Sequence, residues 1–177
     1  TEKSDQDMSL KLASIEADFA SLTDKIAIQK KIIADSIAPI KKQLAYLMAK
    51  PSIKPVAASL TAGFGYRKNP FTSRGSEFHK GIDFAASYGQ TVSATGDGIV
   101  AFAGWNAGYG RMVIISHGYG LTTLYAHNSK LLVKQGDKVK KGQAIAKAGN
   151  TGRSTGTHVH YEVKLNGKNV NPANYFN

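Results

Sequence analysis

The sequence predicts an α+β protein that is mainly β, in which one helical segment precedes a glycine-rich domain built on an antiparallel sheet. Three observations predict this class. Residues 5–49 lack glycine and carry apolar side chains at helical spacing. All 18 glycines lie beyond Leu60. In that second region short β-type runs alternate with turn residues, which is typical of an antiparallel sheet or sandwich.

The helical segment carries a narrow apolar stripe. Its members are Met8, Leu12, Ile15, Phe19, Leu22, Ile26, Ile33, Ile37, Ile40, Leu44 and Leu47. Steps of 3 and 4 residues, with one eleven-residue stretch from Ile26 to Ile37, are typical of a coiled-coil seam. Pro39 removes a helical hydrogen bond, so either one bent helix runs through it or a second helix begins near Ser36. The stripe predicts a dimer seam, a helix folded back on its own domain, or a docking arm for a partner protein.

The chain divides into three predicted parts, which are a coiled-coil-like arm at 1–50, a linker at 51–59 and a domain at 60–177. Six strands are predicted in the domain, at Val92–Ala94, Gly98–Phe102, Met112–His117, Leu121–His127, Ala144–Gly149 and His158–Leu165. Asp97-Gly98 predicts a tight hairpin. The residues from His117 to Gly120 predict a turn between two paired strands.

Composition restricts the function classes. The chain has no cysteine, which excludes a thiolate metal site, a cysteine nucleophile and disulfides. No apolar run approaches the ~20 residues of a membrane span. The sequence begins at a threonine, so we expect that an export or anchoring segment has been removed. We therefore expect a periplasmic or other cell-envelope location, with membrane anchoring only through a segment absent from this sequence.

Positive charge is concentrated in the second region. Residues 51–177 carry 15 Lys/Arg and 5 Asp/Glu, whereas residues 1–50 are nearly neutral. The excess serves either solubility or attraction to a polyanion. The lysines are scattered in turns, without a helix or aromatic platform that would read bases, so we expect no nucleic-acid partner. An anionic cell-wall polymer fits the excess at least as well.

Four histidines and one aspartate point to a metal site. His158 and His160 are two residues apart on a predicted strand, so their side chains share one face. His79 and Asp83 add an imidazole and a carboxylate, and His127 adds a further imidazole. Two imidazoles and a carboxylate around an open fourth position form the ligand type of a catalytic zinc.

Seven motifs in the domain occur in a fixed order. They are Gly63-Phe-Gly-Tyr-Arg67, His79-x-Gly-Ile-Asp83, Gly96-Asp-Gly-Ile-Val100, Gly108-Tyr-Gly110, Leu124-Tyr-Ala-His127, Gly149-Asn-Thr-Gly152 and Gly156-Thr-His-Val-His-Tyr-Glu162. Together they resemble the lysostaphin-type (LytM-like) zinc metallopeptidases, which cut peptidoglycan cross-bridges. The resemblance covers residues 60–176.

The resemblance implies that His79, Asp83 and His160 bind one Zn²⁺ per chain. It also implies that His127 and His158 flank the metal-bound water, and either one serves as the general base. Zinc lowers the pKa of such a water toward ~7. The implied activity is a peptidoglycan endopeptidase, with D,D-endopeptidase cleavage of cross-link peptides favoured and carboxypeptidase activity left open.

Two alternatives stand beside the enzyme. In one, the chain is a catalytically silent or autoinhibited cell-wall scaffold or activator that works through its coiled coil. In the other, Val133–Gln143 belongs to a lipoyl- or biotinyl-carrier-like fold, although this leaves the histidines without a purpose.

Several further residues have open roles. Glu162 shares the strand face of His160, where it either orients an imidazole or acts as a general base. His117 is expected to be structural. The candidates for substrate contacts, which equally suit turns, are Tyr109, Asn150, Thr151 and Thr155.

Overall fold

The computed structural model describes residues 2–70, 72 and 75–176. These residues form an α-helix at Glu2–Ala49 (α1), twelve strands and a 3₁₀ helix at Pro172–Tyr175. The strands are Leu60–Ala62 (β1), Gly65–Lys68 (β2), Ser76–His79 (β3), Ile82–Ala85 (β4), Thr91–Ser93 (β5), Gly98–Asn106 (β6), Gly110–Gly118 (β7), Leu121–Leu131 (β8), Lys138–Val139 (β9), Ala144–Ala148 (β10), His158–Leu165 (β11) and Lys168–Val170 (β12). Contacts divide the chain into two units, Thr1–Ala45 and Tyr46–Asn177.

The first unit consists of α1, which continues through Pro39 without interruption. Of the two predicted possibilities, the single helix is therefore the observed one. Every residue from 3 to 45 is exposed, including the whole apolar stripe. Among the described residues, no helix has the length and apolar character that crossing a membrane requires.

The second unit is an antiparallel β-structure. Its main sheet has the order β1-β4-β11-β8-β7-β6-β9, with β10 bridging β8 to β5 and β12 pairing with β11. Strands β2 and β3 form a separate two-stranded sheet. The predicted α+β class with a mainly antiparallel sheet is confirmed.

The core fixes the register of the central strands. The largest fully buried side chains include Phe84 on β4, Tyr125 on β8 and Tyr161 on β11. The hydroxyl of Thr95 lies 2.9 Å from both tyrosine hydroxyls, so the polar tips of these rings have partners inside the core. Strand β11 pairs with β4 on one side and β8 on the other, and Asp83, His127, His158 and His160 lie on these three strands.

The six predicted strands are present, with ends that shift by up to four residues. The turn from His117 to Gly120 does join the paired strands β7 and β8. Four strands before residue 86, together with β9 and β12, were not predicted. Strands β1 to β3 have mostly exposed or half-buried residues, so they lack a clear apolar alternation.

The predicted hairpin at Asp97-Gly98 is wrong. Strand β5 pairs with β10, and β6 pairs with β7 and β9, so this turn joins two strands that do not pair with each other. Gly98 lacks the positive φ that a type I′ turn requires. Asp97 instead accepts hydrogen bonds from Lys140 Nζ and Lys141 N, and its own N–H donates to Met48 O.

Residues 46–59 pack within the β-rich unit. Ala49 and Val56 are buried, and Ser93 N donates to Pro55 O at 2.8 Å. The contact boundary at residues 45 and 46 therefore precedes the predicted one at 50 and 51, because the last turn of α1 packs on the sheet unit. The division into arm, linker and domain as functional parts stays a prediction.

Candidate metal centre

Three of the predicted site residues meet where two antiparallel strands run side by side. His160 on β11 lies directly opposite Asp83 on β4. His79 is the last residue of β3, and the two intervening residues of the β3–β4 connection bring it to the same place. All three side chains are buried, with 5–8% of each residue exposed.

The three side chains converge through one atom each. His160 Nδ1 lies 2.8 Å from Asp83 Oδ1, and His79 Nε2 lies 3.2 Å from the same oxygen. The two imidazole nitrogens are 3.0 Å apart. The candidate ligand atoms of the three residues all lie within 4.8 Å of one another. Two neutral imidazoles and one carboxylate are a donor set that zinc accepts in catalytic sites.

Each of these residues is held by a second contact on its other polar atom. His79 Nδ1 donates to Gly63 O at 2.7 Å, which leaves the lone pair on Nε2. His160 Nε2 contacts Glu162 Oε1 at 3.2 Å, and Arg67 Nη1 donates to Asp83 Oδ2 at 2.9 Å. Such outer contacts fix the tautomer and orientation of metal ligands.

The surroundings of the two carboxylates keep both of them ionised. Burial alone would raise the pKa of Asp83, but the polar contacts and charge interactions with His160 and His79 outweigh it and hold that pKa well below its usual range. Burial also opposes ionisation of Glu162, yet hydrogen bonds from His160, Tyr109 and Asn169 lower its pKa to about 2. Both carboxylates are therefore ionised at neutral pH, which suits the binding of a divalent cation.

Glu162 is fully buried, and both of its oxygens are engaged. Tyr109 donates to Oε1 at 2.7 Å and Asn169 to Oε2 at 2.8 Å, beside the contact with His160. This arrangement suits the orientation of the His160 ring. It does not suit the general-base alternative, because a base needs an oxygen free to take a proton from water.

The other two histidines predicted for the site, His127 and His158, lie beside this cluster. The ring centroid of His127 is 4.7 Å from that of His158 and 5.9 Å from that of His160. His127 Nδ1 donates to Thr151 O at 2.7 Å, and His158 Nδ1 donates to Gly156 O at 2.8 Å. In the neutral form of each ring the Nε2 atom therefore carries the lone pair. Burial lowers the pKa of His127 to about 4, and the nearby His158 and His160 act in the same direction.

A close backbone crossing builds the wall behind His127. A Cβ added to Gly110 would lie 2.4 Å from the carbonyl carbon of Thr151, and one added to Gly152 would lie 2.3 Å from Gly110 N. Both glycines have positive φ. Only residues without a side chain allow these two segments to approach so closely. His127 itself has φ 61, a left-handed conformation that is uncommon outside glycine and often occurs at functional sites.

An open cleft contains all five predicted residues. Its other lining residues are Arg67, Pro70, Glu77, Phe78, Lys80, Gly108, Tyr109, Arg153, Ser154, Thr155 and Glu162. Of the candidates for substrate contacts, Tyr109 and Thr155 line this cleft, whereas Asn150 and Thr151 do not. Thr151 instead accepts from Arg111 N and donates to Asn128 O through its hydroxyl.

His117 lies apart from the cluster. It is buried, its Nδ1 donates to Asp97 O at 2.7 Å, and its Nε2 lies 2.7 Å from the Thr123 hydroxyl. Sequence reasoning gave no role to Arg67, Gly63 or Asn169. Arg67 and Gly63 belong to the first motif of the domain, and their position in that motif was the one available signal.

The family model of peptidase family M23 matches residues 77–172, more than half of the chain. The chain belongs to peptidase family M23. The predicted family resemblance is thereby confirmed, and with it a metallopeptidase fold around the cluster. The matched segment includes all five histidines and Asp83.

Individual proteins agree with this assignment. The chain is 45% identical over 123 residues to the DD-carboxypeptidase/endopeptidase Mpg of Neisseria meningitidis, covering 69% of this chain and 28% of Mpg. It is 48% identical over 99 residues to the murein hydrolase activator NlpD of Escherichia coli, covering 55% of this chain and 26% of NlpD. A zinc containing peptidase from Vibrio cholerae has a similar structure, with a TM-score of 0.61 and 41% identity over 70% of this chain and 38% of the other. The chain thus spans less than a third of the length of the curated relatives it matches.

Proposed function

We propose that this protein is a zinc-dependent peptidoglycan hydrolase that cuts cross-link peptides as a D,D-endopeptidase. The observation that carries the proposal is the convergence of His79, Asp83 and His160 beside two further imidazoles in one open cleft. Similarity to Mpg, whose name specifies a DD-carboxypeptidase and endopeptidase, supports the substrate class. We place its action in the cell envelope, where that substrate is found.

The metal ligands in this proposal are His79 Nε2, Asp83 Oδ1 and His160 Nδ1. Two nitrogens and one anionic oxygen leave a fourth position of a tetrahedral site open, as catalytic zinc sites require. Bound zinc would polarise the scissile carbonyl and activate a water near neutral pH. The contacts from Gly63, Glu162 and Arg67 hold the three ligand side chains in the required tautomer and orientation.

Proton transfer falls to His127 and His158. Each ring donates through Nδ1 to a backbone carbonyl, so each has an unprotonated Nε2 available in the cleft. Either Nε2 can take a proton from the attacking water and return it to the leaving amine. The buried and uncharged state of His127 at neutral pH suits the role of proton acceptor.

The substrate would lie along the cleft between Arg153 and Tyr109. Lys80 lines this cleft, and residues 51–177 carry a net charge of +10. Stem peptides present carboxylates, and positive charge raises the local concentration of an anionic polymer. The identity of the cleaved peptide bond is likewise part of the proposal.

A second candidate is an activator of other wall hydrolases that works through α1. Similarity to NlpD favours it. The complete set of candidate ligands favours the enzyme, because an activator needs no metal-activated water.

Purified peptidoglycan of defined cross-linking tests the proposal, with mass spectrometry of the released fragments. We expect cross-linked muropeptide dimers to become monomers, zinc chelation to stop this, and added zinc to restore it. We expect His79→Ala, His160→Ala, His127→Ala and His158→Ala each to lower the rate at least about 100-fold. His117→Gln is the matched control, because this buried histidine lies outside the cleft.

Each contrary outcome has a definite meaning. Undiminished cleavage by the metal-free protein would refute the zinc mechanism. Loss of only the terminal residue of monomeric stem peptides would identify a carboxypeptidase. If the chain alone releases no fragments but raises the cleavage rate of another wall hydrolase, it is an activator.

A further inference from the structure

The apolar stripe of α1 is exposed along its whole length in the first unit. Phe19 is 72% exposed, Ile40 68% and Met8 65%, and no residue from 3 to 45 is buried. A contiguous exposed apolar surface on this scale marks an interaction site. The sequence of the helix itself indicates which partner fits.

The spacing of the stripe is nearly the same in both chain directions. From Leu12 to Leu47 the steps between successive members mirror each other about the midpoint between Gln29 and Lys30. In an antiparallel pair of identical helices centred there, every stripe residue from Leu12 to Leu47 therefore faces an apolar stripe residue of the other copy. The facing positions are Leu12 with Leu47, Ile15 with Leu44, Phe19 with Ile40, Leu22 with Ile37, and Ile26 with Ile33.

Charge along the helix is also divided between its halves. Residues 2–24 carry six acidic and two basic side chains, a net of −4, and residues 25–50 carry six basic and one acidic, a net of +5. A parallel pair would place like halves together. An antiparallel pair places the acidic half of each copy along the basic half of the other, which is attractive.

Positions that flank the seam agree with the antiparallel direction. Glu16 and Lys41 each follow a seam residue directly, and they meet across an antiparallel pair of copies. A parallel pair would instead place Lys25 against Lys30, which repel, and Lys11 against Glu16, which attract, so these two contacts offset each other. Pro39 precedes the seam residue Ile40 and lies on the side away from the partner, so it does not obstruct pairing.

We propose that residues 12–47 of α1 form an antiparallel coiled coil with the same residues of a second copy of this chain, with Glu16 of each copy beside Lys41 of the other. The proposal does not depend on the proposed enzymatic function.

Sedimentation equilibrium of the full chain tests the pairing. We expect a mass about twice the 18.9 kDa of one chain. Glu16→Lys alone should raise the dissociation constant about tenfold, and so should Lys41→Glu. The double variant should return to the original value, because it only exchanges the two partners. A matched control is Asp24→Lys with Lys31→Glu, which lies on the outer face and should leave the dissociation constant unchanged.

Direction is tested by cross-linking, since the chain has no cysteine of its own. Glu16→Cys and Lys41→Cys are made as separate proteins and treated with a short bis-maleimide. We expect cross-linked dimers in the mixture and none with either protein alone. A monomer at all concentrations would overturn the proposal and assign the stripe to a different partner. A dimer in which the double charge variant stays weakened would indicate parallel helices and also overturn it.

Discussion

At the scale of single residues, the orientation of the Asp83 carboxylate depends on Arg67, which is not itself a candidate metal ligand. Arg67 Nη1 holds Asp83 Oδ2, while Nε and Nη2 of the same guanidinium hold Glu77 Oε1 at 3.1 and 3.0 Å. The planar guanidinium joins two carboxylates in a fixed geometry, and a lysine ammonium lacks that geometry. Arg67 is therefore a positioning residue for the carboxylate whose other oxygen faces His79 and His160.

Arg67→Met is expected to weaken zinc binding about 10- to 100-fold, because the Asp83 carboxylate would be free to rotate. Arg67→Lys should recover only part of this loss. Competition with a chromogenic chelator measures the affinity without reference to catalysis. Arg111→Met is the matched control, since this exposed side chain lies outside the cleft. Equal zinc affinity of Arg67→Met and the original chain would contradict the positioning role.

His117 links stability to pH independently of the cleft. Burial lowers the pKa of His117, and Lys141 acts in the same direction, while the hydrogen bond to Asp97 O opposes them. In the unfolded chain its pKa is about 6.5. Below that pH the unfolded chain takes up a proton that the folded protein resists. The folded protein therefore loses stability as pH falls from about 6.5 toward the lowered pKa, at up to about 1.4 kcal/mol per pH unit.

His117→Gln is accordingly expected to show a shallower loss of unfolding free energy between pH 7.5 and 5 than the original chain. Glutamine keeps a donor and an acceptor for Asp97 O and the Thr123 hydroxyl but does not titrate. Urea denaturation at several pH values measures both slopes, and their difference isolates His117 from the other histidines. Parallel slopes would show that this histidine does not contribute.

At the scale of elements, the crossing of β7 with the 149–152 loop controls the orientation of His127. The loop supplies the Thr151 carbonyl to which His127 Nδ1 donates. Its approach depends on glycine at positions 110 and 152, as described above. A substitution at this crossing is therefore expected to displace the backbone carbonyl that orients His127 in the cleft.

Gly152→Ala is expected to cost at least about 2 kcal/mol of unfolding free energy, because the new Cβ overlaps Gly110 and the backbone has φ +74. The rate of wall cleavage should fall as well, since Thr151 O would shift away from His127. Gly118→Ala is the control, because Gly118 has the same φ of +74 but nothing lies within 4 Å of its added Cβ, and it lies outside the cleft. Chemical denaturation and the cleavage assay are run on both variants. Similar losses in the two would contradict the importance of the crossing.

Elements also differ in how far the sequence predicts them. Strands β7, β8 and β11 have strong apolar patterns because they are central, and their predicted positions agree with the structure. The candidate ligands followed from two short motifs and a family resemblance. Strands β2 and β3 were not predicted, because their pairing of Arg67 with Glu77 depends on a contact between half-buried polar residues that no local pattern indicates. The role of Arg67 was hidden for the same reason.

At the scale of the whole molecule, the end of α1 belongs energetically with the sheet unit. Tyr46 packs edge-on against Tyr119 with ring centroids 5.2 Å apart, and Lys141 Nζ donates to Leu47 O. Val56 lies in the main hydrophobic core at 3% exposure. A domain cut at the change in composition, near Leu60, removes all of these contacts.

Two truncated chains, 46–177 and 60–177, test this boundary. We expect the free energy of unfolding of 60–177 to be at least about 3 kcal/mol lower than that of 46–177. Burial of Val56 alone contributes roughly 1.5 kcal/mol. The further loss comes from the hydrogen bonds of Ser93 N to Pro55 O, Ser52 N to Thr95 O and Asp97 N to Met48 O, each about 1 kcal/mol. Urea denaturation of the two chains measures the difference, and Val56→Ala in 46–177 should reproduce part of it. Equal stability of the two chains would show that residues 46–59 are a linker after all, and that the sheet unit is complete from Leu60.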